Sequence, residues 1–501
     1  MSTRLGAGCS AREVVSELRR VWAGRRRIPL PRLRLMSSER RLLLVGIDIV
    51  VVNLALLLIL ALRFPYRFSL STVAQVPLYF VLITIIWCVW ASFFDCYDLS
   101  RSADASQSAW SAARAALAAA LTYLLIPYIT PPLLASRSTA ALFAGAVVAF
   151  VPAWRAVYAT LFSQPTFQRR LLIVGAGLSG AEMARELAGT PVFGNPYAGS
   201  GLEVVGFVDD DPARVGSEVA GLPVLGDRSA LLRLARDLHI DTVVVAITHR
   251  TTIHHELFEA LLDCREQGVR VEPMTGLYER FTGKVPVAHA GYDLQVALPV
   301  SDSPMVRVYA SVKRVADFFA GVLGLLAVAL VAPWVALANA VSSPGPLFYR
   351  QARVGMGGRT FRVLKFRSMI PDAEKGNGAV WASANDPRTT PAGRVLRRTR
   401  LDELPQFWNV LVGEMSLVGP RPERPEFVQD LARKIPYYRA RHAVRPGITG
   451  WAQVRYRYGS SEQDAVIKLQ YDLYYIKHQS LYLELSILVK TARVMLGMRG
   501  R

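Results

Sequence analysis

Five long apolar runs divide this chain into parts with different solvent preferences. Four come early, near 42–62, 73–94, 110–130 and 139–162. Each is about 20 residues, enough to cross a bilayer as a helix. Short connections join them, and an even number of crossings returns the chain to its starting side. Clustered arginines before the first run and Gln168-Arg169-Arg170 after the last place both flanks in the cytoplasm. Asp48 and Asn53 interrupt the first run, and Arg114 the third. Asp48 and Asn53 read either as polar contacts inside a bundle or as helix-packing residues near a membrane face. The fifth run, Phe318–Val341, has Lys313 and Arg314 before it and Arg350, Arg353, Arg359 and Arg362 after it. Carrying either basic flank across would oppose the positive-inside bias. A helix that enters and returns on one face resolves the conflict, with Pro333 in mid-run supplying a bend. A plain fifth span is the alternative.

Between these runs the periodicity changes. Arg170–Val174 reads as a buried strand, and Gly175-Ala-Gly177-Leu-Ser-Gly180 opens a helix through Leu187. Leu202–Val208 and Thr242–Ile247 are further strands, with a helical run Ser229–Leu238 between them. This alternation predicts a Rossmann-like parallel sheet. Gly175, Gly177 and Gly180 stand where a nucleotide-binding loop requires them. The acidic strand end, Asp209-Asp210-Asp211, comes about 30 residues after the glycines, where such loops have one about 20 on. His254 and His255 are adjacent, a spacing that suits surface histidines better than one metal. Residues 273–305 read as a linker with a few short strands.

Charge and composition sharpen the picture. The chain of 501 residues has 59 Lys and Arg against 39 Asp and Glu, a net charge of +20. Such a balance calls for anionic partners. With 52% hydrophobic residues and no nucleic-acid motif, lipid and phosphate fit better than nucleic acid. Four scattered cysteines show neither metal-ligand spacing nor a disulfide framework. The expected layout is a basic cytoplasmic tail (1–41), a four-helix transmembrane bundle (42–165), a Rossmann-like domain (166–272), a linker (273–305) and an α/β catalytic domain (306–501). The last includes the re-entrant membrane helix, 312–342. The tail 1–41 reads as touching anionic lipid or as disordered. The apolar and aromatic residues of Gln463–Leu496 read as helices in the headgroup layer or as core helices.

The densest chemistry lies in Arg394–Glu423. Arg394, Arg397, Arg398 and Arg400 precede adjacent carboxylates, Asp402 and Glu403, and the stretch closes on Gly419-Pro420-Arg421-Pro422-Glu423. Guanidinium groups hold phosphate oxygens in bidentate fashion, and neighbouring carboxylates hold magnesium or attack phosphorus. Surface ion pairing at a helix start is the plain alternative.

The pattern R-x-x-x-L-D-E-L-P-Q-x-x-N-V-L-x-G-x-M-S-L-V-G-P-R-P-E resembles the signature of bacterial polyprenyl-phosphate sugar-1-phosphate transferases, the monotopic phosphoglycosyl transferases. Gln351-Ala-Arg353-Val-Gly355, Lys365-Phe-Arg367-Ser-Met369 and Arg445-Pro-Gly447-Ile-Thr-Gly450-Trp451-Ala-Gln453 support it. The upstream layout resembles the long form of that family. The resemblance implies transfer of hexose-1-phosphate, glucose or galactose, from a UDP-hexose to undecaprenyl phosphate, which starts exopolysaccharide, capsule or O-antigen synthesis. It implies Asp402 as nucleophile and Glu403 as its partner, the two also holding Mg²⁺. Lys365, Arg367, Arg397 and Arg421 would bind substrate phosphate, with Asp472, Arg353 and Gln453 as further candidates. It places the protein in the bacterial inner membrane with its catalytic domain on the cytoplasmic face; a homodimer is compatible with this. A membrane-anchored Rossmann-type sugar-nucleotide oxidoreductase or epimerase is the competing reading. The Tyr-x-x-x-Lys pair that it needs is missing between Gly180 and Pro304.

Overall fold

Long stretches of Leu, Ile, Val and Ala without helix breakers fold as helices. The computed structural model describes residues 37–63, 77–126, 137–162, 168–188, 201–247, 254–287, 304–371, 373, 386–456, 459 and 461–496. They belong to two compact units, Met1–Thr282 and Gly283–Arg501.

In the first unit, α1 (Ser37–Arg63), α2 (Pro77–Phe93), α3 (Ala105–Leu124) and α4 (Arg137–Phe162) cover the early runs. Asp104 caps α3 by accepting from the amides of Ser106 and Gln107. An alanine face on α3, including Ala112, Ala115, Ala116, Ala119 and Ala120, is fully buried and admits bulky neighbours such as Trp87, Tyr123 and Phe143. Leu54, Leu58, Ile85, Leu121 and Phe150 stay exposed, so the bundle is apolar outside as well as inside, as lipid contact requires. Among the described residues, three helices are long and apolar enough to cross a membrane: Glu39–Leu62, Ser138–Leu161 and Val306–Ser342. Helix α2 is apolar but shorter. The second and third apolar runs extend into 73–76 and 127–130, outside the described residues.

Asp48 does not stand alone in this bundle. Its carboxylate accepts from Arg155 of α4, at 3.1 Å from Nε and with a second bond from Nη2. Arg155 also donates to the Cys96 carbonyl at 2.6 Å. Exposure is 0% for Asp48 and 1% for Arg155. Asn53 donates to the Ile49 carbonyl and the Thr84 hydroxyl.

The α/β part of this unit contains β1 (Arg169–Val174), α5 (Leu178–Leu187), β2 (Leu202–Val208), α6 (Leu231–Asp237), β3 (Thr242–Val245), α7 (His255–Glu266) and β4 (Arg270–Pro273). These four strands pair in parallel, in the order β2-β1-β3-β4, and a short antiparallel pair, Glu218–Val219 with Leu222–Pro223, forms between β2 and α6 in the chain. Residues expected to begin a linker with short strands instead form α8 (Met274–Thr282), whose Met274, Leu277 and Tyr278 are buried in the same core. The missed signal is helical spacing: three apolar positions at i, i+3 and i+4.

The second unit opens with α9 (Pro304–Ser342), 39 residues long. It runs unbroken through Pro333, so the expected re-entrant bend is not a break in this helix. One face of α9 meets the domain along its whole length. Lys313 donates to the Val418 carbonyl, Arg314 to those of Val410 and Leu411, and Asp317 accepts from Leu417 N and Ser416 Oγ. Farther on, Val328 and Val335 pack against Phe366 and Leu396, and Asn339 donates to the Arg367 carbonyl. The opposite face exposes Phe319, Leu323, Leu326, Leu330, Trp334 and Leu337.

An antiparallel hairpin follows, β5 (Phe348–Val354) with β6 (Thr360–Phe366), then α10 (Pro391–Thr399) and α11 (Phe407–Val412). Helix α11 crosses α9 where there is no room for a side chain: a Cβ on Gly324 would lie 2.1 Å from the Phe407 ring. Strand β7 (Ser416–Val418) pairs in parallel with β8 (Gly447–Thr449), and α12 (Pro425–Lys434) and α13 (Trp451–Arg455) flank them. The tail forms α14 (Glu462–Lys477) and α15 (Leu481–Leu496). Leu469, Leu473, Tyr475 and Ile476 make α14 a core helix, whereas α15 buries Leu483 and Ile487 and exposes Leu481, Tyr482 and Leu485.

Removing one member of the Asp48–Arg155 pair strands a buried charge. Arg155→Met is expected to cost about 3–5 kcal/mol, and Asp48→Leu in the same chain to recover most of it. Thermal unfolding of the detergent-purified variants measures both; additive losses would show that the two residues act independently.

Candidate active site

Local sequence dictates where the carboxylate pair points. Thr390 caps α10 through Gly393 N at 2.9 Å, and Pro391 opens the helix. Arg400 ends it in the left-handed region at φ 62°, unusual for a residue with a side chain. That reversal starts a 3₁₀ turn, Leu401–Gln406. Residues three apart eclipse in such a turn. Leu401 and Leu404 therefore share a face, and both pack on the apolar cluster of α9.

Asp402 and Glu403 are 7% and 8% exposed. Glu403 Oε1 is met by three cations: Arg421 Nη2 at 2.7 Å, Lys365 Nζ at 3.5 Å and Arg400 Nη1 at 3.7 Å. Burial alone would raise its pKa, but Arg421, Lys365 and Arg400 outweigh burial and hold it well below the usual range. Asp402 responds in the opposite sense. Burial, and then the negative charge of Glu403, push its pKa up to about 6, against the pull of Lys365, Arg400 and Arg397. Asp402 Oδ1 is buried with no hydrogen-bond partner. Burial also lowers the pKa of Lys365, opposed mainly by Glu403.

The three cations come from three elements, each fixed in its own way. Lys365 projects from β6, which Asn409 of α11 holds by accepting from Leu364 N at 3.0 Å and donating to the Arg362 carbonyl at 2.9 Å. Arg400 is the reversal residue itself. Arg421 follows β7 where two chain segments cross at backbone contact. A Cβ on Gly447 would lie 2.1 Å from Gly419 N, and one on Gly450 2.2 Å from Gly419 O. Arg441 donates to the Arg421 carbonyl at 3.0 Å. Arg441 is held in turn by Asp472 at 2.8 Å and the Tyr438 hydroxyl at 2.7 Å.

Several sequence expectations change here. Asp472 does not reach the carboxylate pair; it is buried against Arg441 and supports the backbone of Arg421. Burial raises its pKa to about 6, against the pull of Arg441. Arg367 is not available to phosphate: it is buried and donates to the Pro346, Ser343 and Met369 carbonyls and the Ser343 hydroxyl. It closes the turn between α9 and β5. Arg353 borders the site, bound to the Pro422 carbonyl at 3.1 Å and Gln351 Oε1 at 2.6 Å. Arg397 donates to the Thr389 hydroxyl and adds positive charge near Asp402. Gln453 donates to the Ile448 carbonyl, and its Oε1 is buried without a partner. Arg441 and Asn409 were missed as functional positions; their roles come from partners distant in sequence.

The glycine loop of the first unit is a separate feature. Gly175 N donates to the Val208 carbonyl, and Ala176 N to Asp209 Oδ2 at 2.6 Å. Gly180 permits close packing, since a Cβ there would lie 2.0 Å from Gly175 O. Asp209 is thus engaged by the loop and by Arg214 at 3.2 Å. His255 lies 3.8 Å from Glu259 on an exposed helix face.

Among the described residues no group of three or more His, Cys, Asp or Glu is arranged for a metal. Magnesium asks for less, one or two carboxylates with substrate phosphates and water completing its shell. The unpartnered Oδ1 of Asp402 beside Glu403 fits that demand.

Comparison with known proteins gives two family matches. Residues 308–498 match the bacterial sugar transferase family and residues 92–272 the CoA-binding domain family. A UDP-N-acetylgalactosamine-undecaprenyl-phosphate N-acetylgalactosaminephosphotransferase from Aeromonas hydrophila is 45% identical over 47% of this chain and 54% of its own length. A UDP-glucose:undecaprenyl-phosphate glucose-1-phosphate transferase from Xanthomonas campestris pv. campestris is 34% identical over 61% of this chain and 63% of its own. One of the same name from Caulobacter vibrioides is 42% identical over 38% of this chain and 71% of its own. The chain thus matches about half to two thirds of the length of the first two.

The glycine crossing that sets Arg421 allows a test. Gly447→Ala is expected to destabilise by at least about 1–3 kcal/mol, the cost of forcing atoms into a filled space. Gly276→Ala, where a Cβ meets nothing within 4 Å, serves as control and should not destabilise. Thermal unfolding of the two variants compares them; equal stability would remove the steric argument.

Proposed function

Because this chain belongs to the bacterial sugar transferase family, we propose that it moves hexose-1-phosphate from a UDP-hexose to undecaprenyl phosphate. The products are UMP and an undecaprenyl-diphosphate sugar. One observation carries the reading: two adjacent buried carboxylates are treated oppositely. Glu403 is neutralised by three cations, while Asp402 keeps an oxygen without a partner.

Asp402 is the nucleophile in this mechanism. Its carboxylate oxygen attacks the β-phosphorus of the UDP-sugar, forming an aspartyl phosphosugar as the phosphoanhydride bond breaks and UMP leaves with that bond's electron pair. An oxygen of undecaprenyl phosphate then attacks the same phosphorus and releases the Asp402 carboxylate. Lys365, Arg421, Arg400 and Arg397 offset the phosphate charge that would repel an anionic nucleophile. Glu403 keeps Lys365, Arg400 and Arg421 converged. Asp402 and Glu403 would hold Mg²⁺, which supplies further neutralisation of the diphosphate when bound. The relatives' names include both glucose and N-acetylgalactosamine donors, so the reading extends to the UDP-hexose class. The start of exopolysaccharide, capsule or O-antigen assembly is the matching role. The oxidoreductase reading is not favoured.

The proposed setting is the bacterial inner membrane, with four spans, a Rossmann-like lobe and the catalytic unit on the cytoplasmic face. Helix α9 inserts from that face and does not cross. Support comes from its contacts: Lys313 and Arg314 near one end and Asn339 near the other bind the same domain, and Val328 and Val335 fill the space between. A spanning helix would carry one of those ends, with its partners, through the bilayer.

Asp402→Asn is expected to lower UMP release about 10³-fold or more while the protein still inserts and unfolds at the same temperature. A mass-spectrometric adduct of one sugar phosphate on Asp402 should be trapped in the native enzyme when the lipid is withheld. Near-native turnover by the purified variant would remove Asp402 as nucleophile. In a cysteine-free background, single cysteines near Val306 and Gly357 are expected to react only with reagents that reach the cytoplasm. Labelling of the Gly357 probe from the periplasm would mean that α9 spans.

A further inference from the structure

We propose that Tyr349 is the platform on which the nucleobase of the donor stacks. The inference rests on the UDP-hexose reading above and adds a residue to it. The hairpin register places Tyr349 directly opposite Lys365, with Gln351 opposite Val363 and Arg353 opposite Phe361. Side chains of directly opposed residues share a face, with Cβ atoms about 5 Å apart. The pleat therefore puts Tyr349, Gln351, Arg353 and Lys365 on one side of the hairpin. Phe348 and Phe366 take the other side, stacked at 5.4 Å, and Phe366 is buried against α9. Tyr349 thus turns away from the face that packs on the apolar helix, and stands opposite Lys365, one of the cations assigned to the diphosphate.

Tyr349 is 38% exposed. Its hydroxyl accepts from Gln351 Nε2 at 3.3 Å, and Gln351 Oε1 accepts from Arg353 Nη2 at 2.6 Å. Arg353 is anchored on the Pro422 carbonyl, one residue beyond Arg421. A line of side chains thus joins the aromatic ring to the segment after β7 that delivers Arg421 to Glu403. The uridine of a UDP-sugar whose diphosphate lies between Lys365 and Arg421 extends beyond those cations by the length of its ribose, and the hairpin face that carries Lys365 continues to Tyr349. A planar base finds there an aromatic ring whose outer end is tethered by a hydrogen bond. Stacking on such a ring holds a base without reading its edge.

The test uses the full-length enzyme in detergent or nanodiscs, with steady-state kinetics varying donor and lipid separately. Tyr349→Ala is expected to raise KM for the UDP-sugar and the inhibition constant of UMP about tenfold. The kcat should stay within about threefold and KM for undecaprenyl phosphate should not move. Tyr349→Phe and Tyr349→Trp, which keep a ring, should retain donor affinity. An unchanged donor KM in Tyr349→Ala overturns the inference, as does a raised lipid KM with normal donor KM, which would put the ring on the lipid path. An equal loss for Tyr349→Phe would assign the effect to the hydroxyl and overturn stacking. If native protein releases no UMP from any UDP-hexose, the reading of the reaction fails first, and the inference with it. A UMP-releasing enzyme indifferent to Tyr349 overturns the inference alone.

Discussion

A carboxylate taken out of water stays ionised only where cations replace the lost hydration, and Glu403 imposes that condition on the whole catalytic unit. Three positive groups must converge on one oxygen from β6, from the end of α10 and from the segment after β7. No single local element supplies them. The glycine crossing under Arg421, the left-handed Arg400 and the Asn409 bridge to β6 are separate answers to this one demand. Asp402 benefits without sharing the pairing: a neighbour that absorbs the cations leaves it an oxygen with nothing to hold.

Helix α9 ties this arrangement to an apolar surface. Its inner face reaches β7 through Lys313 and Asp317, α11 through Arg314 and Gly324, and the 3₁₀ turn through the Val328 cluster. The elements that present Arg421 and the carboxylates thus rest on one surface of one helix. Its outer face is apolar from Phe319 to Leu337. In the proposed reaction a lipid-borne acceptor meets a water-borne donor, and a helix dressed differently on its two sides would build their boundary into the chain.

Much of this was legible in the sequence, and what was not shares a cause. The apolar runs, the parallel sheet and the glycine-strand-helix pattern depend on local periodicity, and the structure contains the sheet and the apolar helices. Asp402 and Glu403 stood out because adjacent carboxylates among arginines are conspicuous on the page. Pairings across long separations were hidden. Asp48 looked like an isolated polar residue because Arg155 is 107 positions away. Arg367 looked like a phosphate ligand because nothing local shows that Ser343 and Pro346 consume its donors. Arg441 carried no signal, since its meaning lies in Asp472 and the Arg421 carbonyl. The helical spacing of Met274, Leu277 and Tyr278 is local and legible, although the stretch is short enough to pass for linker.

The Asp48–Arg155 pair also bears on how the bundle is made. Helices leave the ribosome in order, and α1 carries its carboxylate toward the membrane long before the guanidinium of α4 exists. A lone charge at that depth costs several kcal/mol in hydrocarbon. Until α4 arrives, the Asp48 carboxylate lacks the partner that it has in the finished bundle. Helices α1 and α4 are therefore tied by a charge pair that can form only once both have been made. A chain that ended before Arg155 would leave that carboxylate unmatched.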